Sequence, residues 1–127
     1  MQQSSRPQGS DGISGFASIA HLDGTITVWD LSMRQCMANQ KMHSAEVRGI
    51  SYSADGRFVA SAGFDKNIVI SDTIDLENMS VVKALEHDDK VVSVRWHPDL
   101  PLLLSTSADK SARIWSPKMP MSNPMAS

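Results

Sequence analysis

Three ten-residue stretches align without gaps: HLDGTITVWD at 21–30, GFDKNIVISD at 63–72 and SADKSARIWS at 107–116. Asp23, Asp65 and Asp109 share one column and Trp29, Ser71 and Trp115 another, at spacings of 42 and 44 residues. The register continues upstream. HSAEVRGISYSADGRFVASAGFD (43–65) lies over HDDKVVSVRWHPDLPLLLSTSAD (87–109), which sets His43 over His87, Val47 over Val91, Ile50 over Val94, Tyr52 over Trp96 and Ser61 over Ser105. No other feature restricts the fold as much. A unit repeated at this period is one supersecondary motif that buries its apolar face only by stacking on its neighbours.

The chemistry inside the unit is that of strands and turns. VVSVRW (91–96) alternates, as a strand with unlike faces does, and TITVW and NIVI are rich in β-branched residues that suit a pleated surface. SADGR (53–57) and HPDLP (97–101) carry turn residues, with Gly56 free to take positive φ and Pro98 presetting its own. The pattern predicts about ten short strands and no long amphipathic helix.

Composition sets the outer limits. The 127 residues are 41% apolar and 20% charged, enough for one small packed domain, and a net charge of −2 offers no general electrostatic grip on nucleic acid. Cys36 is the single cysteine, so it neither staples the fold nor builds a zinc site alone; this suits a reducing compartment, cytosol or nucleus. No apolar run exceeds three residues, so no segment is expected to span a membrane. Residues 1–12 are polar and aperiodic, and residues 117–127 carry Pro117, Pro120 and Pro124. Both stretches are expected to be disordered tails around a folded unit at 13–116.

His87, Ser105 and Asp109 raise the question of nucleophilic catalysis. The same set recurs as His43, Ser61 and Asp65, whereas catalysis needs one site, and no G-x-S-x-G elbow is present. The expectation is a buried hydrogen-bond network with no catalytic residue. His21 and His97 lie near turns, no His/Cys spacing converges on a metal, and no glycine-rich loop cradles a phosphate, so neither metal nor cofactor is expected.

Across nearly all of residues 13–116 these columns resemble the WD40 repeat. The resemblance implies an all-β fold: a partial WD40 β-propeller of two full four-stranded blades plus half of another, the half being the first. Three blades would leave two apolar faces uncovered, so a fragment of a larger propeller is expected, or a truncated product, or a piece completed by another chain. In this family an Asp-His-Ser-Trp set ties the turn between two strands to the loop before the first. Carried onto this chain, that network is His43, Ser61 and Asp65, then His87, Ser105, Asp109 and Trp115, with Asp23 and Trp29 from the partial repeat. Met42 and Glu86 stand where Gly is usual before the His, Ser71 stands for Trp, and Ile19 stands for Ser.

The resemblance also implies function. Such propellers mostly dock other proteins along one rim, in columns that here read Glu46 and Lys90, Arg48 and Val92, and Leu22, Phe64 and Ala108. Phe64 and Arg48 are the favoured anchors, since aromatic and Arg side chains dominate binding hot spots. The implied role is a non-catalytic scaffold whose partners are other protein subunits, without a membrane or a small-molecule substrate. CMANQKMHSAEVRGISYSADGRFVASAGFDKNIVISD, followed by VRWHPDLPLLLS, is moreover similar to late blades of the WD-repeat subunit of the THO/TREX mRNA-export complex. That likeness implies a nuclear setting in which RNA is met only indirectly. The alternatives are a reader of peptides or modified residues, and a truncated product with no independent function.

Overall fold

A computed structural model describes residues 9–13 (backbone alone), 15–74 and 79–117. Eleven strands run in order: β1 (Gly9–Ile13), β2 (Phe16–Ala20), β3 (Thr25–Asp30), β4 (Gln35–Lys41), β5 (Val47–Tyr52), β6 (Phe58–Gly63), β7 (Asn67–Asp72), β8 (Ser80–Glu86), β9 (Val91–Trp96), β10 (Leu103–Ser107) and β11 (Ala112–Trp115). They form three antiparallel meanders, β1-β2-β3-β4, β5-β6-β7-β8 and β9-β10-β11, and no helix occurs among the described residues. The all-β partial propeller with two full four-stranded blades is therefore what the chain builds.

The incomplete blade lies at the other end from the one expected. The first sheet is completed by β1, which pairs with β2 from Gly9↔Ala20 to Ile13↔Phe16, so residues 9–12 of the stretch read as a tail are strand. GSDGI has neither alternation nor β-branched content until its last residue; it is extended because β2 presents an edge of unpaired backbone groups to it. The third sheet has three strands, and of the two expected tails, 1–12 and 117–127, residues 1–8 and 118–127 lie outside the described residues.

Alternation decides which face of each blade meets its neighbour. Phe58, Ala60 and Ala62 on β6 with Ile68 and Ile70 on β7 pack against Val91, Val94, Trp96 and Leu103 of the third blade. One junction earlier, Ile26 packs against Ile50, Tyr52 and Val59. Ser18 Oγ and Tyr52 Oη share a 2.5 Å hydrogen bond across that first junction. At the second, Trp96 stands in the Tyr52 column and Ala60 in the Ser18 column, and the buried Trp96 Nε1 has no partner. Trp96 N–H instead reaches back to Ser51 Oγ at 3.1 Å.

Turns repeat as faithfully as strands. The residue after the column Asp is left-handed in each blade: Gly24 (φ 91°), Lys66 (φ 77°) and Lys110 (φ 70°). A Cβ makes that conformation cost about 1 kcal/mol or more, and Gly removes the penalty. Lys66→Gly and Lys110→Gly are each expected to raise stability by about 0.5–1 kcal/mol. A higher urea midpoint with unchanged slope is the result that checks this.

A docking rim and its buried support

In the third blade four side chains form one chain of donors. Trp115 Nε1–H donates to Ser105 Oγ at 2.8 Å, and Ser105 Oγ lies 2.7 Å from His87 Nε2. His87 Nδ1 lies 2.9 Å from Asp109 Oδ2. A carboxylate only accepts, so Nδ1 carries a proton, and Nε2 faces the serine hydroxyl. Asp109 also takes Asp88 N–H at 3.1 Å and Ser111 N–H at 2.8 Å, which pins the loop before β9 to the β10–β11 turn.

The second blade repeats this with one member changed. His43 bridges Asp65 Oδ1 at 2.9 Å and Ser61 Oγ at 2.7 Å, and Asp65 takes Ser44 N–H and Asn67 N–H. Ser71, in the Trp column, is buried and turns its hydroxyl to Met42 Sδ at 3.8 Å. The first blade departs further. Asp23 accepts only its own turn, Thr25 N–H at 2.9 Å, while Thr27 Oγ1 takes Trp29 Nε1–H at 3.1 Å and faces His21 Nε2 at 3.0 Å. Ile19 stands where the other two blades have the serine hydroxyl, and the indole N–H finds Thr27 Oγ1 on the next strand.

These groups are architecture. Ser61 and Ser105 are 1% and 0% exposed, and both His side chains are fully buried, so no substrate reaches either hydroxyl. Backbone bonds carry each network across a blade boundary: His43 N–H donates to Gly24 O at 3.2 Å and His87 N–H to Lys66 O at 2.9 Å. Among the described residues no group of three His, Cys, Asp or Glu side chains is placed to hold a metal.

The carboxylates are tuned by the same contacts. The Ser111 hydroxyl does most to hold Asp109 far below the usual carboxylate range; burial opposes it, and His87 with the N–H groups of Asp88 and Ser111 adds to it. Burial works to raise Asp65, but hydrogen bonding and charge from His43, with the Ser44 and Asn67 N–H groups, outweigh it and leave the group lowered. A folded-state pKa below the unfolded value stabilises at pH above the unfolded value and loses that contribution as pH falls through the folded one. The melting temperature is therefore expected to fall as pH drops below about 4. Asp65→Asn and Asp109→Asn should melt lower at neutral pH but respond less to acid, as thermal melts across pH can check.

On the surface above this support, the structure gathers four of the residues singled out from sequence. Two cations lie over the Phe64 ring, the Arg48 guanidinium 5.3 Å from its centroid and Lys90 Nζ 5.2 Å from it. Arg48 Nε also donates to Glu46 Oε2, and Phe64 N–H donates to Glu46 O at 2.8 Å. Arg48 and Lys90 come from different blades, so the stack exists only because the blades are docked. Leu22, Val92 and Ala108 occupy the matching columns and are exposed, Leu22 at 58% and Val92 at 45%. Of the residues sequence reading missed, Ser111 is the most informative: Ser two positions after a turn Asp is the signal for such a local hydroxyl–carboxylate bond.

A family model described as "WD domain, G-beta repeat" matches residues 34–72 and 79–116. The chain is similar to actin-interacting protein 1 of Drosophila melanogaster, 34% identical over 94 residues that make up 74% of this chain and 16% of that protein. It is also similar to protein HIR1 of Candida albicans, 32% identical over 68% of this chain and 11% of that protein. The chain thus spans less than a fifth of the length of either relative.

Proposed function

Because the chain belongs to the WD40-repeat family, we propose that it is a non-catalytic docking scaffold whose partner contacts centre on Phe64, Arg48 and Lys90. WD40 repeats generally mediate protein–protein interaction, and the observation that supports this choice of residues is the stack itself. The His-Ser-Asp set recurs in two blades and serves each of them alike. Arg57 over Phe58 and Arg113 over Trp115 are single contacts, whereas among the described residues Phe64 alone has two cations over its ring, and its column reads Leu22 and Ala108 elsewhere while the Arg48 column reads Val92. A feature unique among repeats is where a repeat protein differs from its own scaffold. Rigid aromatic and Arg side chains are also the groups that carry most interface energy. A reader of cationic modified residues fits less well, because the one aromatic on this rim already has two positive charges over its ring.

The finer reading places the scaffold in a multisubunit complex, and the likeness of residues 36–72 to the WD-repeat subunit of THO/TREX supports that machinery and a nuclear setting. The two relatives above bear other names, so the test must discriminate. Affinity capture with wild type and with Phe64→Ala/Arg48→Ala, quantified by mass spectrometry, should show one set of proteins lost from the variant. Their affinity for the purified chain should fall about 30-fold, the effect of a hot spot worth about 2 kcal/mol. mRNA-export subunits in that set support the finer reading. Capture unchanged by the double variant overturns the rim.

A further inference from the structure

The charges around Phe64 do not balance one another. The column that reads Glu46 in the second blade reads Lys90 in the third, so one repeat step reverses the sign and brings a second cation over the ring that Arg48 already covers. Glu46 accepts from Arg48 Nε. Among the described residues the two Nη groups of Arg48 find no acceptor, and Lys90 Nζ has no ion-pair partner. Two neighbouring acids are engaged elsewhere: Asp89 takes the Lys90 backbone N–H at 2.7 Å, and Asp88 faces Arg113 Nη2 at 3.6 Å. Arg48 and Lys90 are both exposed, whereas Phe64 is half-buried with its backbone held by Glu46 O, so both cations meet solvent over a fixed ring.

These groups define the chemistry that complements them. Like charges brought over one ring repel, and cation–π attraction offsets only part of that. An anion that reaches both cations relieves the repulsion, and the Nη groups of a guanidinium present their N–H donors in the plane that suits a carboxylate. Two cations and one paired carboxylate leave a single positive charge, which one further carboxylate matches. Nucleic acid calls for a wider basic stripe than this pair offers, and the chain as a whole carries a net charge of −2.

We propose that the partner segment received on this rim is acidic, and that one of its Asp or Glu carboxylates joins the Arg48 Nη groups to Lys90 Nζ beside Phe64; this rests on the reading of the Phe64 rim as the docking site. Glu46 competes for the same guanidinium and so tempers the affinity.

A random peptide library displayed on phage and selected on the purified 127-residue chain supplies the probe. The expected outcome is enrichment of peptides that carry Asp or Glu. Their affinity should fall about tenfold or more for Phe64→Ala and for Lys90→Glu. Lys83→Glu, the same change of charge on the outer strand β8, should leave it unaltered. Changing the peptide's acid to Lys should restore binding to Lys90→Glu, and Glu46→Gln should bind the acidic peptides about threefold more tightly. Peptides that are lost with Phe64→Ala yet are neutral or basic overturn the acidic partner and leave the rim standing. Peptides indifferent to Phe64→Ala overturn the rim, and this proposal with it. Four further results overturn the acidic segment: no enriched peptide, an equal loss with Lys83→Glu, weaker binding by Glu46→Gln, or a phosphoserine peptide bound more tightly than its Asp counterpart.

Discussion

His87→Ala is expected to lower the melting temperature by about 15 °C, equivalent to about 3 kcal/mol for a domain of this size. Three terms add. The ring leaves a cavity in a site that is 2% exposed, and the neighbouring edge-to-face contact with Trp115 at 5.9 Å is lost. Ser105 Oγ loses its imidazole partner while still holding the indole donor. Asp109 keeps its two backbone donors but loses the imidazole that links it to the sheet. An unpaired buried polar group alone costs about 1–3 kcal/mol. His97→Ala is the control, since His97 is exposed and its Nδ1 only accepts Asp99 N–H and Leu100 N–H within its own turn. Differential scanning calorimetry on both variants decides the matter. A His87→Ala protein as stable as its parent would reopen the catalytic reading of the triad.

That network shows how far sequence carried and where it stopped. Its members in the second and third blades stand at matched positions, and column matching found them because each bond joins residues of one repeat. The Phe64 stack was legible only as separate columns, since Arg48 and Lys90 meet across a boundary that one repeat does not describe. The blade count was legible, but the position of the incomplete sheet was not, because the sequence repeat and the sheet are out of phase. The match at 34–72 gives β4 to one sheet and β5–β7 to the next; that at 79–116 gives β8 to the second sheet and β9–β11 to the third. Counting repeats therefore assigns each outer strand to the wrong blade. β1 escaped notice for another reason: GSDGI owes its conformation to the edge it meets rather than to its own residues.

The junction between the second and third blades is where one blade can loosen from the rest, and Gly49→Val tests that. Gly49 lies on β5 where the second and third blades come close. A Cβ there would already stand 3.1 Å from Ser93 Cα and from Val94 N, and 3.2 Å from Ala62 Cβ. Alanine asks the neighbours to give by a few tenths of an ångström. The two further methyl groups of valine meet the β9 backbone, which can retreat only by drawing Val91, Val94 and Trp96 out of the cluster they share with Phe58, Ala62 and Ile68. Overpacking a core by this much costs about 3 kcal/mol. The strain falls on the junction between blades, so the third blade should loosen first. Hydrogen exchange is expected to lose protection across β9–β11 while β2–β4 stays protected, with a melting temperature lower by about 15 °C. Ser93→Val places the same side chain one repeat later, where the position is exposed, and should change stability little. Uniform loss of protection in Gly49→Val would show that the blades unfold as one unit.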